Sequence, residues 1–384
     1  MIRVVFYLFV LLFSYSNVCS QSPDLEEAQS FYNAQEYHKA FEIFKQCAIE
    51  DTSNLACVEK AGMSAYRLGD IPNAKKYFIA LEQLDSINQT ALNQLSVIYE
   101  QEKNTPKAIK YYTKLNKLFP DNPIFYRKLA QQYQNAGLLA DAFSYYARAN
   151  KLNPRDMLTL NGLSELFLAN QQYAEADSIL REGLVIDSMN VNFNLLMAQC
   201  QYRLKAYDST VHYLEKIRYE IDFSPYFNKM LGYSYIQIDS FENSIVYLEK
   251  ALMDEGSKEY AHYYLATAYE KLENEEYAFH HYEKALEEGI SDNVDIYHRN
   301  LARIHNDNNA LKDAIEHYKD AYKYGKDPLI LFFLARASDV YYKDKNIAIS
   351  YYNRYIKSGH NNPEYIGYSK DRVRYIKEEM HFQN

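Results

Sequence analysis

Between Asn122 and Pro154, apolar and small residues fall at helical spacing twice over, with a break between the two runs. Tyr126, Leu129, Ala130 and Tyr133 recur at intervals of three and four, the signature of one buried helix face. Pro123 opens this run at a position where its missing N–H is not needed, with Asp121 and Asn122 placed as caps. Gly137 interrupts it, as a residue just past a helix end does. A second run begins near Leu139 and sets Ala142, Tyr146 and Ala149 on one face. Asn153–Pro154 closes it, because proline disfavours helix in the residue before it. The pattern predicts two helices joined by a tight turn.

This unit recurs along the chain. Steps of 34 residues from Ala142 reach Ala108, Ala74 and Ala40 in one direction, and Ala176, Thr210, Ser244 and Ala278 in the other. All are small. Four residues after each stands a large apolar residue: Phe44, Phe78, Tyr112, Tyr146, Leu180, Leu214, Leu248 and Tyr282. After a step of 36 residues the pair returns as Ala314 with Tyr318, and then as Ala348 with Tyr352. The Leu129–Ala130 pair, Tyr133, Ala142, Tyr146, Ala149 and Pro154 resemble the tetratricopeptide repeat, and the chain as a whole is similar to exported multi-repeat members of that family from Bacteroidota. The resemblance covers residues 22–358. It implies an all-α, right-handed α-solenoid (a superhelix) of about ten helix-turn-helix units, in which stacking supplies the core that no single pair can build. The chain departs from the family in having no Trp, a residue often found near the start of the first helix. The Leu–Gly pair survives only as Ala61–Gly62 and Leu231–Gly232. Residues 287–293 hold the two extra residues and are the candidate place for a bend, or simply a longer turn. Residues 359–384, with a helix starting at Pro363, are expected to form a C-terminal capping helix whose charged outer face tolerates water.

Residues 1–20 stand outside the repeat. Arg3, the apolar run Val4–Phe13 and the sequence Val18–Cys19–Ser20 read as a secretory signal peptide. The run is too short to span a membrane comfortably. The array would then occupy 21–358, in a periplasmic, secreted or cell-envelope setting. A lipid anchor at Cys19 is the alternative, against which Val18 stands where a small residue is preferred. Without the leader, 41 basic residues face 51 acidic ones, a balance that argues against a broad nucleic-acid surface. Cys47 and Cys57 flank one interhelix turn, so they either close a disulfide, as export permits, or remain two small buried residues. Cys200 has no candidate partner. The 40 tyrosines are expected mainly in packing.

Catalytic patterns are lacking: the chain has no glycine-rich phosphate loop, no HExxH and no Gly-x-Ser-x-Gly. His280 and His281 point about 100° apart on a helix and cannot easily share an ion. His281 and His317 occupy equivalent places in neighbouring repeats and are expected on a solvated face. Accordingly no catalytic, cofactor-binding or metal-binding residue is assigned, and no cofactor. Five Asp–Ser pairs begin at Asp85, Asp177, Asp187, Asp208 and Asp239. The first four resemble an O-glycosylation signal of exported Bacteroidota proteins; the other reading is caps and turns.

The family resemblance further implies that the first helix of each repeat lines a concave groove. One column there holds Asn93, Arg127, Asn161, Leu195, Lys229 and Tyr263, a second Val97, Gln131, Glu165, Gln199, Tyr233 and Thr267, and a third Leu168, Tyr202 and Ile236, with Arg203 beside them. Leu168, Leu195, Tyr202, Tyr233 and Ile236 are expected to form an apolar patch on a wet face, ringed by Arg127, Arg203 and Lys229. The implied function is a non-enzymatic scaffold that binds a protein or peptide segment with an apolar anchor and acidic groups. The rivals are an envelope enzyme acting on glycans through an unrecognised site, and a structural assembly factor anchored through Cys19.

Overall fold

The computed structural model describes residues 24–253, 258–289 and 291–382. The expected signal peptide and Cys19 lie outside these residues. The described residues form 21 helices and no strand. In order these are α1 (Leu25–Asn33), α2 (Tyr37–Glu50), α3 (Leu55–Arg67), α4 (Ile71–Leu84), α5 (Gln89–Gln101), α6 (Thr105–Leu118), α7 (Pro123–Asn135), α8 (Leu139–Leu152), α9 (Met157–Ala169) and α10 (Tyr173–Ile186). There follow α11 (Val191–Arg203), α12 (Tyr207–Ile217), α13 (Pro225–Gln237), α14 (Phe241–Ala251), α15 (Lys258–Lys271) and α16 (Glu275–Glu287). The last five are α17 (Val294–Asp307), α18 (Leu311–Gly325), α19 (Pro328–Tyr341), α20 (Asn346–Lys357) and α21 (Pro363–Phe382). Packing divides the chain into two compact units, one ending at Leu166 and one beginning at Phe167, with the boundary inside α9.

Each repeat is a pair of helices pressed together at its small residue. Ala40, Ala74, Ala108, Ala142, Ala176, Thr210, Ser244, Ala278, Ala314 and Ala348 are all wholly buried. The large residue four positions on is buried in all ten repeats. A small side chain lets two helix backbones approach, and the large one fills the space beside the crossing. In two repeats the partner helix answers with a glycine: a Cβ added at Gly62 would lie 2.9 Å from the Phe78 ring, and one at Gly232 2.6 Å from Leu248.

The turn between the two helices is also periodic. Gln35, Gly69, Lys103, Gly137, Gln171, Lys205, Asp239, Glu273 and Asn309 all have left-handed backbone, with φ between 55° and 77°. Glycine takes that conformation without penalty, yet only two of the nine are glycine. Asparagine and aspartate start many of the helices. Asn54, Asp70, Asn88, Asn104 and Asn190 each accept a hydrogen bond from the backbone N–H three residues on, at 3.0–3.3 Å. Asp85 and Asp187 end α4 and α10 in turns, whereas Asp177 lies inside α10, where Arg181 and Gln201 hold its carboxylate.

Cys47, in the last turn of α2, and Cys57, in the first turn of α3, are joined in a disulfide, with Cα atoms 5.9 Å apart. Cys200 is a buried free thiol. At the other end, α21 covers the last repeat: Val373 and Ile376 pack with Leu331, Ala335, Tyr352 and Tyr355. Tyr365 stacks on Phe332 with ring centroids 4.4 Å apart. Arg372 grips the buried Asp339 through two hydrogen bonds, at 2.6 and 3.2 Å.

A candidate protein-binding face

In the second unit, the first helices of three successive repeats bring a set of tyrosines together. Tyr233 on α13 is the hub. Tyr202 from the end of α11 and Tyr207 from the start of α12 meet it edge-on, at 5.8 and 5.7 Å between centroids. Tyr264 from α15 meets it at 4.7 Å, with Tyr260 and Tyr263 beside Tyr264. Edge-to-face contacts suit the ring quadrupole and fix ring orientation. The cluster is half-buried, and its rim is open: Tyr226 and Tyr260 are exposed. Lys229 lies over the Tyr260 ring, 5.6 Å from its centroid. Burial, with the neighbouring tyrosines, pushes the Tyr202 hydroxyl up to about 12 and raises those of Tyr233 and Tyr264 as well. All three therefore stay protonated and can donate hydrogen bonds at neutral pH.

Several expected groove residues fall on this face. Leu195 and Tyr202 are half-buried and pack on the core of Ala198, Leu214 and Leu231. Tyr202 and Tyr233 touch each other. Gln199 and Lys229 are half-buried and Arg203 is exposed, while Leu168 is half-buried on α9. Ile236 does not belong to the face. It lies about 60° round the helix from Tyr233, on the flank covered by Leu248 of α14 and Leu265 and Ala268 of α15. Tyr207, Tyr260 and Tyr264 were missed. Tyr207 sits on a second helix, and Tyr260 and Tyr264 fall off the columns defined by strict 34-residue steps. The tyrosine-rich run Tyr260–Tyr264 was the available signal.

The first-unit residues are differently employed. Arg127 does not contribute a free positive charge: its side chain is largely buried and Nε lies 2.9 Å from the Asp156 carboxylate. Gln131 and Asn161 line a cavity of about 400 Å³ together with Glu100, Lys128, Gln134 and Glu165. Two carboxylates face this cavity, but both are engaged. Glu100 accepts from Tyr112 and Lys128, and Glu165 from Gln134 and Asn161. A glycan-cleaving pair instead needs one carboxyl held as an acid and another free to attack or to activate water.

The histidines overturn one expectation. His281 and His317 are not on a solvated face and do not approach each other. Each is half-buried and faces a histidine on the first helix of its own repeat. His262 Nδ1 lies 2.9 Å from His281 Nδ1, and His298 Nδ1 lies 2.9 Å from His317 Nδ1. Their separation of 19 residues crosses the interhelix turn, so no spacing of three or four could reveal it. Among the described residues no group of three or more His, Cys, Asp or Glu is placed to hold a metal ion.

A second polar cavity, of about 360 Å³, lies under the capping helix, lined by Asn306, Tyr318, Arg336, Asp339, Tyr352 and Arg372. The Tyr352 hydroxyl there is buried and makes no hydrogen bond among the described residues. No described helix is long and apolar enough to cross a membrane.

Models described as tetratricopeptide repeat match residues 59–123 and 230–253. No curated protein matches. Among solved structures, a tetratricopeptide repeat protein from Parabacteroides merdae is 16% identical with a TM-score of 0.45, over 65% of this chain and 98% of that one. YrrB, described as a tetratricopeptide repeat protein with an unusual peptide-binding site, is 17% identical with a TM-score of 0.43, over 46% of this chain and 91% of its own. The Cut9–Hcn1 assembly of the APC/C is 15% identical with a TM-score of 0.40, over 81% of this chain and 54% of that one. The two matched stretches read as tetratricopeptide repeats, and helical pairs of the same build follow one another from α1 to α20.

Proposed function

We propose that this protein is a non-enzymatic scaffold that binds an extended protein segment on the tyrosine face of α11, α13 and α15. The observation that carries the reading is the convergence of Tyr202, Tyr233 and Tyr264 from the first helices of successive repeats with Tyr207 from the start of α12, half-exposed and ringed by Tyr226 and Tyr260. Aromatic rings of this kind supply large contact area at low entropy cost and dominate binding hot spots. The segment carries an aromatic or aliphatic anchor that packs among the rings, and acidic groups that meet Lys229 and Arg203. An exported location is part of the proposal. It is supported by the leader-like residues 1–20 and by the Cys47–Cys57 bridge, a bond that suits an oxidising compartment.

The test is capture of the native partner by purified protein, with affinity then measured on that partner. Tyr202→Ala combined with Tyr233→Ala is expected to weaken binding by about tenfold or more, some 1.4 kcal/mol. Arg203→Glu with Lys229→Glu is expected to weaken it and to flatten its dependence on salt. Helical circular dichroism must be unchanged in both. Parental affinity in both variants would remove this face as the site.

A further inference from the structure

The two histidine pairs are one device built twice. His262 and His298 are 36 residues apart, as are His281 and His317, so each pair joins the first helix of a repeat to its second at the same place. In both pairs the ring centroids lie 5.2 Å apart while the Nδ1 atoms lie 2.9 Å apart. The two nitrogens therefore sit head-on between the rings. A shelf is repeated too: Tyr269 stacks on His281 at 5.6 Å, and the equivalent residue, His305, stacks on His317 at 5.4 Å.

We propose that these pairs are an acid-sensitive joint: α15–α18 close as helical pairs when the histidines are neutral and open when both members of a pair are protonated. At neutral pH one ring donates its Nδ1–H to the bare Nδ1 of the other. A first added proton goes to the free Nε2 of the donor ring and leaves the hydrogen bond in place. A second has only the accepting Nδ1 to go to. Taking it ends the hydrogen bond and sets two N–H groups on two cations against each other inside the helix pair. Burial already opposes any charge here and lowers all four imidazoles below the usual histidine value, His281 to about 4.

The surrounding charges are mixed. His262 faces Glu288, His280 and Lys284 from α16 and its end, and Lys258 from its own helix. His281 faces His262 and His280. His298 faces Asp320 and Lys323 of α18. His317 faces His298 and His305 of α17, and Asp320 and Asp313 of its own helix. Glu288 eases protonation of His262, and Asp320 and Asp313 that of the second pair, whereas no carboxylate is set against His281, so His281 resists charge most. Resting on the proposed function, α15 also carries Tyr260, Tyr263 and Tyr264, so opening the first pair withdraws part of the tyrosine face from its partner.

The test is amide hydrogen exchange of the full chain at pH 7.5 and pH 5, corrected for intrinsic rates, in buffer with EDTA. The expected result is loss of protection across α15–α18 by about tenfold or more at pH 5, the effect of one pKa unit, with α3–α8 unchanged. His281→Gln with His317→Gln keeps a hydrogen-bonding side chain that cannot titrate, and should abolish the excess loss. The proposal is overturned if protection falls evenly over all repeats, if α15–α18 do not respond, or if the Gln variant responds like the parent. It is equally overturned if the acid response appears only without EDTA, which would make the pairs a metal site. None of these outcomes depends on the partner, so failure of the tyrosine face as a binding site leaves this result standing.

Discussion

Around α4–α7 neighbouring helices are tied by carboxylates; around α15–α18 paired imidazoles are added to such ties. In the first region Glu82 accepts hydrogen bonds from Tyr111 and Lys114, and Glu100 from Tyr112 and Lys128. In the second Glu270 accepts from Tyr282 and pairs with Arg303, and the contacts His262–His281 and His298–His317 are added. Both regions share the same steric frame of a buried alanine with a buried aromatic residue four residues on. The difference teaches that this repeat specifies where helices cross and leaves open which chemistry fastens them.

That choice sets opposite responses to pH. Burial pushes Glu82 up, but hydrogen bonds from Lys114 and Tyr111 together hold it below the 4.5 of an ordinary glutamate. Its contribution is present above pH 4.5 and is lost as pH falls through the lower folded value. The histidines are lowered from 6.5. The unfolded chain therefore binds protons first, and stability falls as pH drops below 6.5 toward the folded values. Mild acid should reach α15–α18 while α4–α7 remain tied.

The shared frame is the first thing to break. Ala108→Glu and Ala278→Glu each place an unpaired carboxylate at a wholly buried crossing, and each is expected to cost about 3 kcal/mol or more. Thermal melts should show equal losses in the two variants, spreading to adjacent repeats. A melt unchanged by either would separate the frames of the two regions. Reducing the Cys47–Cys57 disulfide is the next largest effect. It closes a short loop and should contribute about 2–3 kcal/mol, seen as lost exchange protection in α2 and α3 and not in α15–α18. Mass spectrometry of non-reduced peptides checks the bond itself.

The carboxylate tie is tested by Glu82→Gln, expected to lose about 1.5 kcal/mol at pH 7 and to shrink the loss of stability below pH 4.5, while leaving the response between pH 6.5 and 5 intact. Denaturant melts across pH resolve the two limbs. The smallest effect concerns the turns. Lys103→Gly relieves a left-handed backbone at φ 55° and is expected to gain a few tenths to about 1 kcal/mol, read from the denaturant midpoint.

The repeat itself was legible because burial of a helix crossing acts on residue size at a fixed period. Ala40 through Ala348, with the large residue four positions on, declare ten pairs, and all of them are buried as that period requires. The turn at Gly137 was legible for the same kind of local reason, since glycine permits positive φ; Lys103 and Gln171, which adopt it too, gave no such sign. Groove membership was half legible: helical spacing placed Leu195, Tyr202 and Tyr233 together. It could not tell that Ile236 turns into the core, that Asp156 neutralises Arg127, or that Tyr207 and Tyr264 complete the ring cluster. The histidine pairs were not legible at all. Period alone matched His281 with His317, whereas the fold matches each with a histidine 19 residues earlier. The sequence by itself thus determined the helices, their pairing and their spacing, because these depend on side-chain volume and local backbone preference along one helix. Only the tertiary structure decided which polar groups meet, because a hydrogen bond between helices depends on the rotation of each about its axis, to within a few tenths of an ångström.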